Sequence, residues 1–487
     1  MNFYIVLIVI SWLAWLESAF MLIPAIVGLF YKEWSAVGAF AIVAAGSFIF
    51  GSILRLITKI IAKKRTVKRE LYSREGAASV AIGWIVLSLI GAVPFTLSGE
   101  IPHYIDALFE TISGFTTTGG SILNDVEALS HTCLFWRSFT HWIGGMGVFV
   151  FIMAIFPLLG GYSMNLMRAE STGPSVNKLV PKAQNTAKYL YGIYIALTVI
   201  GFIVYKILGM SAFDAATTIF GTVGTGGFGI LNTSITSYSP ALQWAITIFM
   251  ILSGINYTLY FCLIRRQFRD AFSIEEVKCY LAIILISTAV IALNIRSMYA
   301  TTGDSIRHAA FQVGSIITTT GFSTTDFDLW PSLSKTILVL LMFCGACSGS
   351  TGGGMKISRL LIMFKTIRKE LSSMIHPNEI KKIQLDGKSV THETVRATNV
   401  YLASYFFIML FSTLLVSIDN FDFTTNFTGV VAMLNNIGPG LGGVGPTCNF
   451  ADFSIFSKIV FMFDMLAGRL ELFPMLIIFK LGCWKKY

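Results

Sequence analysis

The hydrophobic positions of this chain gather into long runs separated by short polar segments. "FIVYKIL", "AIILISTAVIALNI" and "ASYFFIMLFSTLLVSI" reach or approach the roughly 20 residues a helix needs to cross a bilayer. The opening run, "MNFYIVLIVISWLAWLESAFMLIPAIVGLF", is interrupted only by Glu17. It has no basic start and is too long for a signal-peptide core, so it is expected to remain as a first spanning helix. The pattern predicts an all-α polytopic protein, expected in a bacterial inner (cytoplasmic) membrane.

Four of the polar interruptions share one register. They read "FTTTGGS" (115–121), "VGTGGFG" (223–229), "ITTTGFS" (317–323) and "LNNIGPG" (434–440). Aligned on Gly119, Gly227, Gly321 and Gly438, the residue two before is Thr117, Thr225, Thr319 or Asn436, always a small oxygen-bearing side chain. Six before stand Ser113, Gly221, Ser315 and Ala432, all small; thirteen before stand Asp106, Asp214, His308 and Thr425, all polar. Such self-similarity is the signature of one unit used repeatedly. Each unit reads as a spanning helix, a half-helix of about three turns capped by that polar residue, an extended loop, and a second spanning helix. The expected units are 76–167, 168–270, 271–390 and 391–487, after an N-terminal helix pair within 1–75. That makes about ten spanning helices and four half-helices, the repeats lying parallel about an axis normal to the membrane.

Non-helical backbone at membrane depth is tolerated only when buried in protein or lining a water-filled path. Four loops meeting on one axis would present rings of peptide carbonyls, which replace the water shell of a dehydrated cation. Glycine suits such a loop because a carbonyl turned to the axis often requires positive φ. Threonine hydroxyls and the Asn436 amide oxygen would add to the ring, and the negative ends of the half-helices favour a cation. A lone Gly/Ser/Thr cluster is usually a helix-packing face, and "HWIGGMGVF" (141–149) is read as one. Four clusters sharing three offsets are not explained by packing. The candidate filter residues are therefore Thr117, Thr118 and Gly119; Thr225, Gly226 and Gly227; Thr319, Thr320 and Gly321; and Asn436, Ile437 and Gly438.

Composition agrees. Of 487 residues 54% are hydrophobic and 13% charged, too few charges to cover a soluble protein of this size. The net charge of +10 clusters at Arg55–Arg74, Arg265–Lys278, Lys356–Arg396 and the final "CWKKY", each beside an apolar span. That is the positive-inside pattern of cytoplasmic loops rather than a nucleic-acid patch, and it puts the four Thr/Gly loops on the opposite side. The seven cysteines are scattered; "CGAC" (Cys344–Cys347) has redox spacing but lies in an apolar run without a second pair, which favours small-residue packing.

Two further features stand in the apolar background. "CSGSTGGGMK" (Cys347–Lys356) grazes the phosphate-loop pattern but fails it, since Met355 separates Gly354 from Lys356 and Ile357 follows. Five glycines between Gly345 and Gly354 predict instead a helix broken mid-membrane, whose small residues leave a pore uncrowded and ease rearrangement of the backbone. Arg469 interrupts "FMFDMLAGRLELFPMLIIF"; an ionisable residue there is by default functional. It faces the pore, where it repels cations, or pairs with Glu471 or Asp464, or does both, since an arginine has five donors. Lys356 either biases the broken segment or anchors it at the cytoplasmic face.

With these residues in view, the chain resembles the Trk/Ktr/HKT superfamily of potassium transporters, and more closely the bacterial TrkH/TrkG type. The likeness spans the four loops, the extra N-terminal pair (about 3–62), "CSGSTGGGMK" and "LAGRLELFP" (Leu466–Pro474). It implies a potassium filter, because glycine holds all four filter positions whereas serine in the first repeat marks many sodium-selective plant relatives. It implies that Gly349, Ser350, Thr351, Gly352, Gly353, Gly354 and Lys356 form a movable gate loop beneath the filter, with Arg469 as part of the constriction. It also implies a homodimer above a cytosolic nucleotide-binding ring of the RCK type, for which the basic stretch 365–396 is a docking candidate. K+ ions in the filter and surrounding membrane lipid are expected; no covalent cofactor, catalytic residue or nucleic-acid partner is. The alternatives are an H+- or Na+-coupled symporter, which would show inverted repeats and buried midplane charges, and a membrane redox or NTP-hydrolysing enzyme.

Overall fold

The structure, a computed structural model, describes residues 3–64, 73–147, 183–378, 382–480, 482 and 484. Parts of the first basic cluster (65–72), the end of the first repeat with the start of the second (148–182), and most of "CWKKY" lie outside the described residues.

Two long helices, α1 (Phe3–Tyr31) and α2 (Trp34–Lys64), pack along each other as the expected N-terminal pair. The first repeat follows as α3 (Ser73–Ser98), half-helix α4 (Tyr104–Phe115) and α5 (His131–Gly145). The second is α6 (Ala183–Ile207), half-helix α7 (Ala212–Gly224), and α8 (Pro240–Ser253) running into α9 (Tyr257–Ile264). After a short helix α10 (Phe268–Ser273), the third is α11 (Glu275–Asn294), half-helix α12 (Thr302–Ile317), α13 (Ser332–Cys344) and α14 (Ile357–Ile375). The fourth is α15 (His392–Val416), half-helix α16 (Phe423–Leu434), α17 (Ile455–Arg469) and α18 (Phe473–Phe479).

Among the described residues six helices are long and apolar enough to cross a membrane unbroken, and α8 with α9, bent by 89°, makes up to a seventh span. In the third and fourth repeats the second helix is likewise followed, after a break, by a further helix. Every second helix in fact stops after 13 to 15 residues, at Gly145, Ser253, Cys344 and Arg469. The sequence announced this break only in the third repeat, where glycines crowd it. In the second the helix stops at Gly254, and in the fourth the irregular backbone lies just past the helix end, at Glu471 and Leu472 with φ of +58 and +63.

The half-helix caps differ from expectation. Asp106, Asp214 and Thr425 are third residues of their helices, and the capping position lies three residues earlier. There Ser211 accepts from the Asp214 N–H and Asp422 from the Thr425 N–H, while His103 makes no side-chain cap. The third half-helix begins a turn early, with Thr301 capping it by accepting from the Asp304 N–H, so His308 lies mid-helix. A polar residue fits the cap and the first turn alike, so the pattern of polar positions does not separate them.

Aromatic side chains such as Trp84, Trp136, Phe109 and Phe115 are fully buried between the helices, whereas Phe407, Leu285 and Leu414 stand exposed on the outer surface. These residues stand on candidate membrane spans, and the surface they form is the lipid-facing one. One element breaks the all-α pattern. Gln384–Leu385 pairs antiparallel with Lys388–Ser389 across Asp386 and Gly387, both at positive φ, a two-residue hairpin in the stretch between α14 and α15.

Candidate functional site

Each half-helix ends in the same way. At its C-terminus the N–H of Thr118, Gly226, Thr320 or Ile437 reaches back to the carbonyl of Ser113, Gly221, Ser315 or Ala432, at 2.8–2.9 Å. The preceding N–H, of Thr117, Thr225, Thr319 or Asn436, bonds the carbonyl three residues back, at 3.0–3.2 Å. This paired closure requires a left-handed residue, normally glycine. Here it is Thr117 (φ 56), Thr225 (55), Thr319 (57) and Asn436 (55). A β-branched residue is seldom found in that conformation, which costs about 1–3 kcal/mol. Three such threonines in register place a side-chain oxygen where glycine would have been easier.

The glycine two residues on is also left-handed in all four loops, with φ of +80, +79, +86 and +94 for Gly119, Gly227, Gly321 and Gly438. What lies against each glycine fixes the arrangement of the loops. A Cβ on Gly119 would stand 2.1 Å from the Gly226 carbonyl oxygen of the second loop, and one on Gly227 1.9 Å from the Thr320 oxygen of the third. A Cβ on Gly321 would stand 2.1 Å from the Ile437 oxygen of the fourth, and one on Gly438 2.8 Å from the Thr118 oxygen of the first. The series returns to its start. Four loops thus form a closed ring, each glycine lying against the carbonyl just before its neighbour's glycine. The twelve sequence-predicted loop residues are brought together here.

Beneath the ring runs the break in the third repeat. Gly345, Gly349, Gly354 and Lys356 all have positive φ, so the chain from 345 to 356 is held out of helix by its own glycines. It lies against the ring's inner end: the Gly353 N–H donates to Thr319 Oγ1 at 2.6 Å, and a Cβ on Gly352 would stand 3.0 Å from the Thr318 oxygen. Lys356, fully buried, turns its ammonium back onto the Gly352 carbonyl. Arg469 reaches the segment from the fourth repeat. It donates to the carbonyls of Thr351 at 2.8 Å and Gly145 at 2.7 Å, to that of Gly144, and to Thr117 Oγ1 at 3.3 Å. Glu471 pairs with Arg359 and Asp464 accepts from Ser412. Arg469 therefore lies between ring and broken segment.

The TrkH family, described as cation transport proteins, matches residues 45–483. The chain belongs to this family. It is similar over its full length to the "Trk system potassium uptake protein TrkH" of Escherichia coli strain K12, at 36% identity with all of both chains covered. It is 33% identical to the TrkG protein of the same strain, over 98% of this chain and 97% of that one. The crystal structure of "the Potassium Transporter TrkH from Vibrio parahaemolyticus" superposes on all of both chains with a TM-score of 0.88 and 32% identity. As a TrkH-family chain it is a multi-pass protein of the bacterial inner membrane, and its family is one of transporters.

Some parts of this TrkH-family site are not visible in the four-loop register. Glu110, on the first half-helix, and Arg137, on α5, form an ion pair hidden from solvent. Glu276 accepts at one oxygen from the N–H groups of Ser348 and Ser358, at 2.6 and 3.1 Å, joining the two ends of the broken segment. Buried carboxyls also occur at Glu17 and Asp464. These buried ionisable groups lie in separate places rather than in one chain. The "HWIGGMG" segment packs closely as expected, a Cβ on Gly144 standing 1.8 Å from the Phe115 oxygen, but its Gly144 and Gly145 carbonyls also hold Arg469; its continuation, 148–149, lies outside the described residues. The six described cysteines, including Cys344 and Cys347, are free thiols.

Proposed function

We propose that this chain is the ion-conducting subunit of a potassium uptake system, a channel-like pore rather than a coupled symporter. The observation that carries the reading is the closed ring, in which Gly119, Gly227, Gly321 and Gly438 each lie against the next loop's carbonyl. Main-chain oxygens so packed are held in place by their neighbours. They substitute for the water shell of a cation entering from outside, without reorganising when it arrives. Glycine at all four filter positions and the potassium named for the relatives favour K+ as the ion. Because each loop keeps only a short fragment of filter, fewer coordination layers and modest discrimination are expected.

Below the filter the ion meets the segment Gly349, Ser350, Thr351, Gly352, Gly353, Gly354 and Lys356, which acts as the gate, braced by Arg469. Conduction requires this segment to leave the axis. Inward movement is then driven by the membrane potential, about 2.3 kcal/mol per charge per 100 mV. The chain works as a homodimer, and a cytosolic nucleotide-binding ring docks on the basic stretch 365–396 to bias the gate. In the fold that stretch includes the end of α14 and the small hairpin at 384–389, where Lys365 donates to the Gln384 carbonyl and pairs with Glu275. Helix, hairpin and the start of α11 are thus tied together by Lys365. The repeat units 76–167, 168–270, 271–390 and 391–487 are the structural quarters of this pore.

The test is growth of a potassium-uptake-deficient bacterium on limiting potassium, with and without Gly119→Ser. The wild-type chain is expected to rescue, and the variant to lose rate or ion preference. Rescue left untouched in both by the substitution would count against the filter.

A further inference from the structure

The inner end of the ring carries a layer of side-chain oxygens, Thr117 Oγ1, Thr225 Oγ1, Thr319 Oγ1 and Asn436 Oδ1, on the four left-handed residues. The gate already uses two of them. Thr319 Oγ1 accepts from the Gly353 N–H at 2.6 Å, and Thr117 Oγ1 accepts from the Arg469 guanidinium at 3.3 Å. The Thr225 hydroxyl makes no gate hydrogen bond among the described residues; it donates to the Gly224 carbonyl at 2.7 Å.

The fourth oxygen differs. Asn436 is completely buried, and its amide nitrogen donates to Thr118 Oγ1 and the Met465 carbonyl, both at 2.9 Å. Its Oδ1 has no hydrogen-bond partner among the described residues. That oxygen lies at the level of the gate, where a Cβ on Gly353 would stand 3.1 Å away and one on Gly468 3.0 Å. A buried amide oxygen without a donor is an acceptor awaiting a positive partner. Of these four oxygens two hold gate donors and the Asn436 oxygen holds none among the described residues.

We propose that this layer is one binding site shared by a desolvated monovalent cation and the gate, so that occupancy of the innermost ion position and opening of the segment 345–356 drive each other. The inference rests on the pore reading above. A cation settling in the layer needs the Thr117 and Thr319 oxygens that Arg469 and the Gly353 N–H occupy. Its charge also opposes the guanidinium at close range in a low-dielectric site. The ion therefore favours the state with the segment withdrawn. By linkage an opened segment binds the ion more tightly by the same factor. The uptake pore would then be opened in part by its own substrate.

The experiment compares amide hydrogen exchange of peptides covering 345–356 in the purified full-length protein, in K+ or in N-methyl-D-glucamine at equal ionic strength. Thermal stabilisation by K+ is recorded in parallel. K+ is expected to speed exchange at Gly353 by about fivefold or more, the usual lower range of such coupling. Thr319→Val is expected to show fast exchange that K+ no longer alters. Thr225→Val, which removes an oxygen of the same layer without a gate hydrogen bond, is expected to keep the response at higher K+. Stabilisation by K+ with unchanged wild-type exchange would overturn the linkage and leave the pore reading standing. Absence of both responses would overturn the pore reading and the linkage with it. The wild-type comparison decides alone should T319V not fold.

Discussion

Arg137 and Glu110 meet at 2.5 Å in an ion pair with side-chain exposures of only 3% and 0%. The pair braces two loops at once. Glu110 accepts from the Ser121 hydroxyl and the Ile122 N–H just past the first loop's Gly119, at 3.0 and 3.1 Å. Arg137 donates to the Gly229 carbonyl just past Gly227, at 2.7 Å, and lies 3.7 Å over the Phe228 ring. Removing one member leaves the other charge buried, at a cost of about 3–5 kcal/mol. Glu110→Gln and Arg137→Gln are each expected to lower the thermal midpoint in detergent. The double variant should cost less than the sum of the two by about 0.5–3 kcal/mol. Additive losses would show that the pair does not act as a unit.

The ring predicts an order of severity among its glycines. A methyl group on Gly119, Gly227 or Gly321 would overlap a neighbouring carbonyl at 1.9–2.1 Å, whereas on Gly438 the distance is 2.8 Å. All four also have positive φ, which penalises any Cβ. Alanine is therefore expected to abolish rubidium uptake at the first three positions and to leave measurable uptake at Gly438. Uptake assays on matched expression levels check the ranking, and a Gly438→Ala variant weaker than the others would contradict it.

Arg469 supplies donors to the Thr351 and Gly145 carbonyls and to Thr117 Oγ1. Arg469→Ala is expected to raise flux into proteoliposomes, because the segment loses its brace and the axis loses a positive charge. Potassium over sodium preference should hold, since the carbonyl ring above is not touched. Arg469→Lys keeps the charge on a smaller head without the planar fork and should fall between. Equal or lower flux in the alanine variant would refute the brace.

An acid-dependent effect is expected at the outer face. Glu33, in the turn between α1 and α2, accepts from the N–H groups of His131 and Thr132 and from the Thr132 hydroxyl, at 2.7–2.9 Å. Partial burial alone would push its carboxyl up, but these hydrogen bonds outweigh it and hold the group below the ordinary value. A carboxyl lowered in the folded state contributes stability that is present above the unfolded pKa of about 4.3. That contribution is lost as pH falls through the lower folded value. Glu33→Gln should therefore reduce the thermal midpoint at neutral pH and flatten its fall below about pH 4. A parallel acid curve in the variant would exclude Glu33 as the cause.

The chain displays its repeat openly because the loops need particular small residues at fixed offsets, and Gly119, Gly227, Gly321 and Gly438 carry that need on their face. The third-repeat break was equally plain, since five glycines mark it. Other parts were hidden for identifiable reasons. Threonine is a poor left-handed residue by intrinsic preference, so the conformations of Thr117, Thr225 and Thr319 come from the closure around them. Single glycines such as Gly254 do not stand out from packing glycines, so the break of α8 was not announced. Glu110 and Arg137 lie 27 positions apart on different helices, and no local spacing joins them. Asp106 and Asp214 had the right polarity, but polarity does not distinguish a cap from a first turn.

Because the four quarters of the ring are written into a single polypeptide, no quarter is obliged to copy another. A tetramer of identical subunits receives every change fourfold; here Asn436 occupies the place that threonine holds elsewhere, and the rest remain as they were. Ion preference in such a molecule is adjustable in single steps of one side, each small enough to survive.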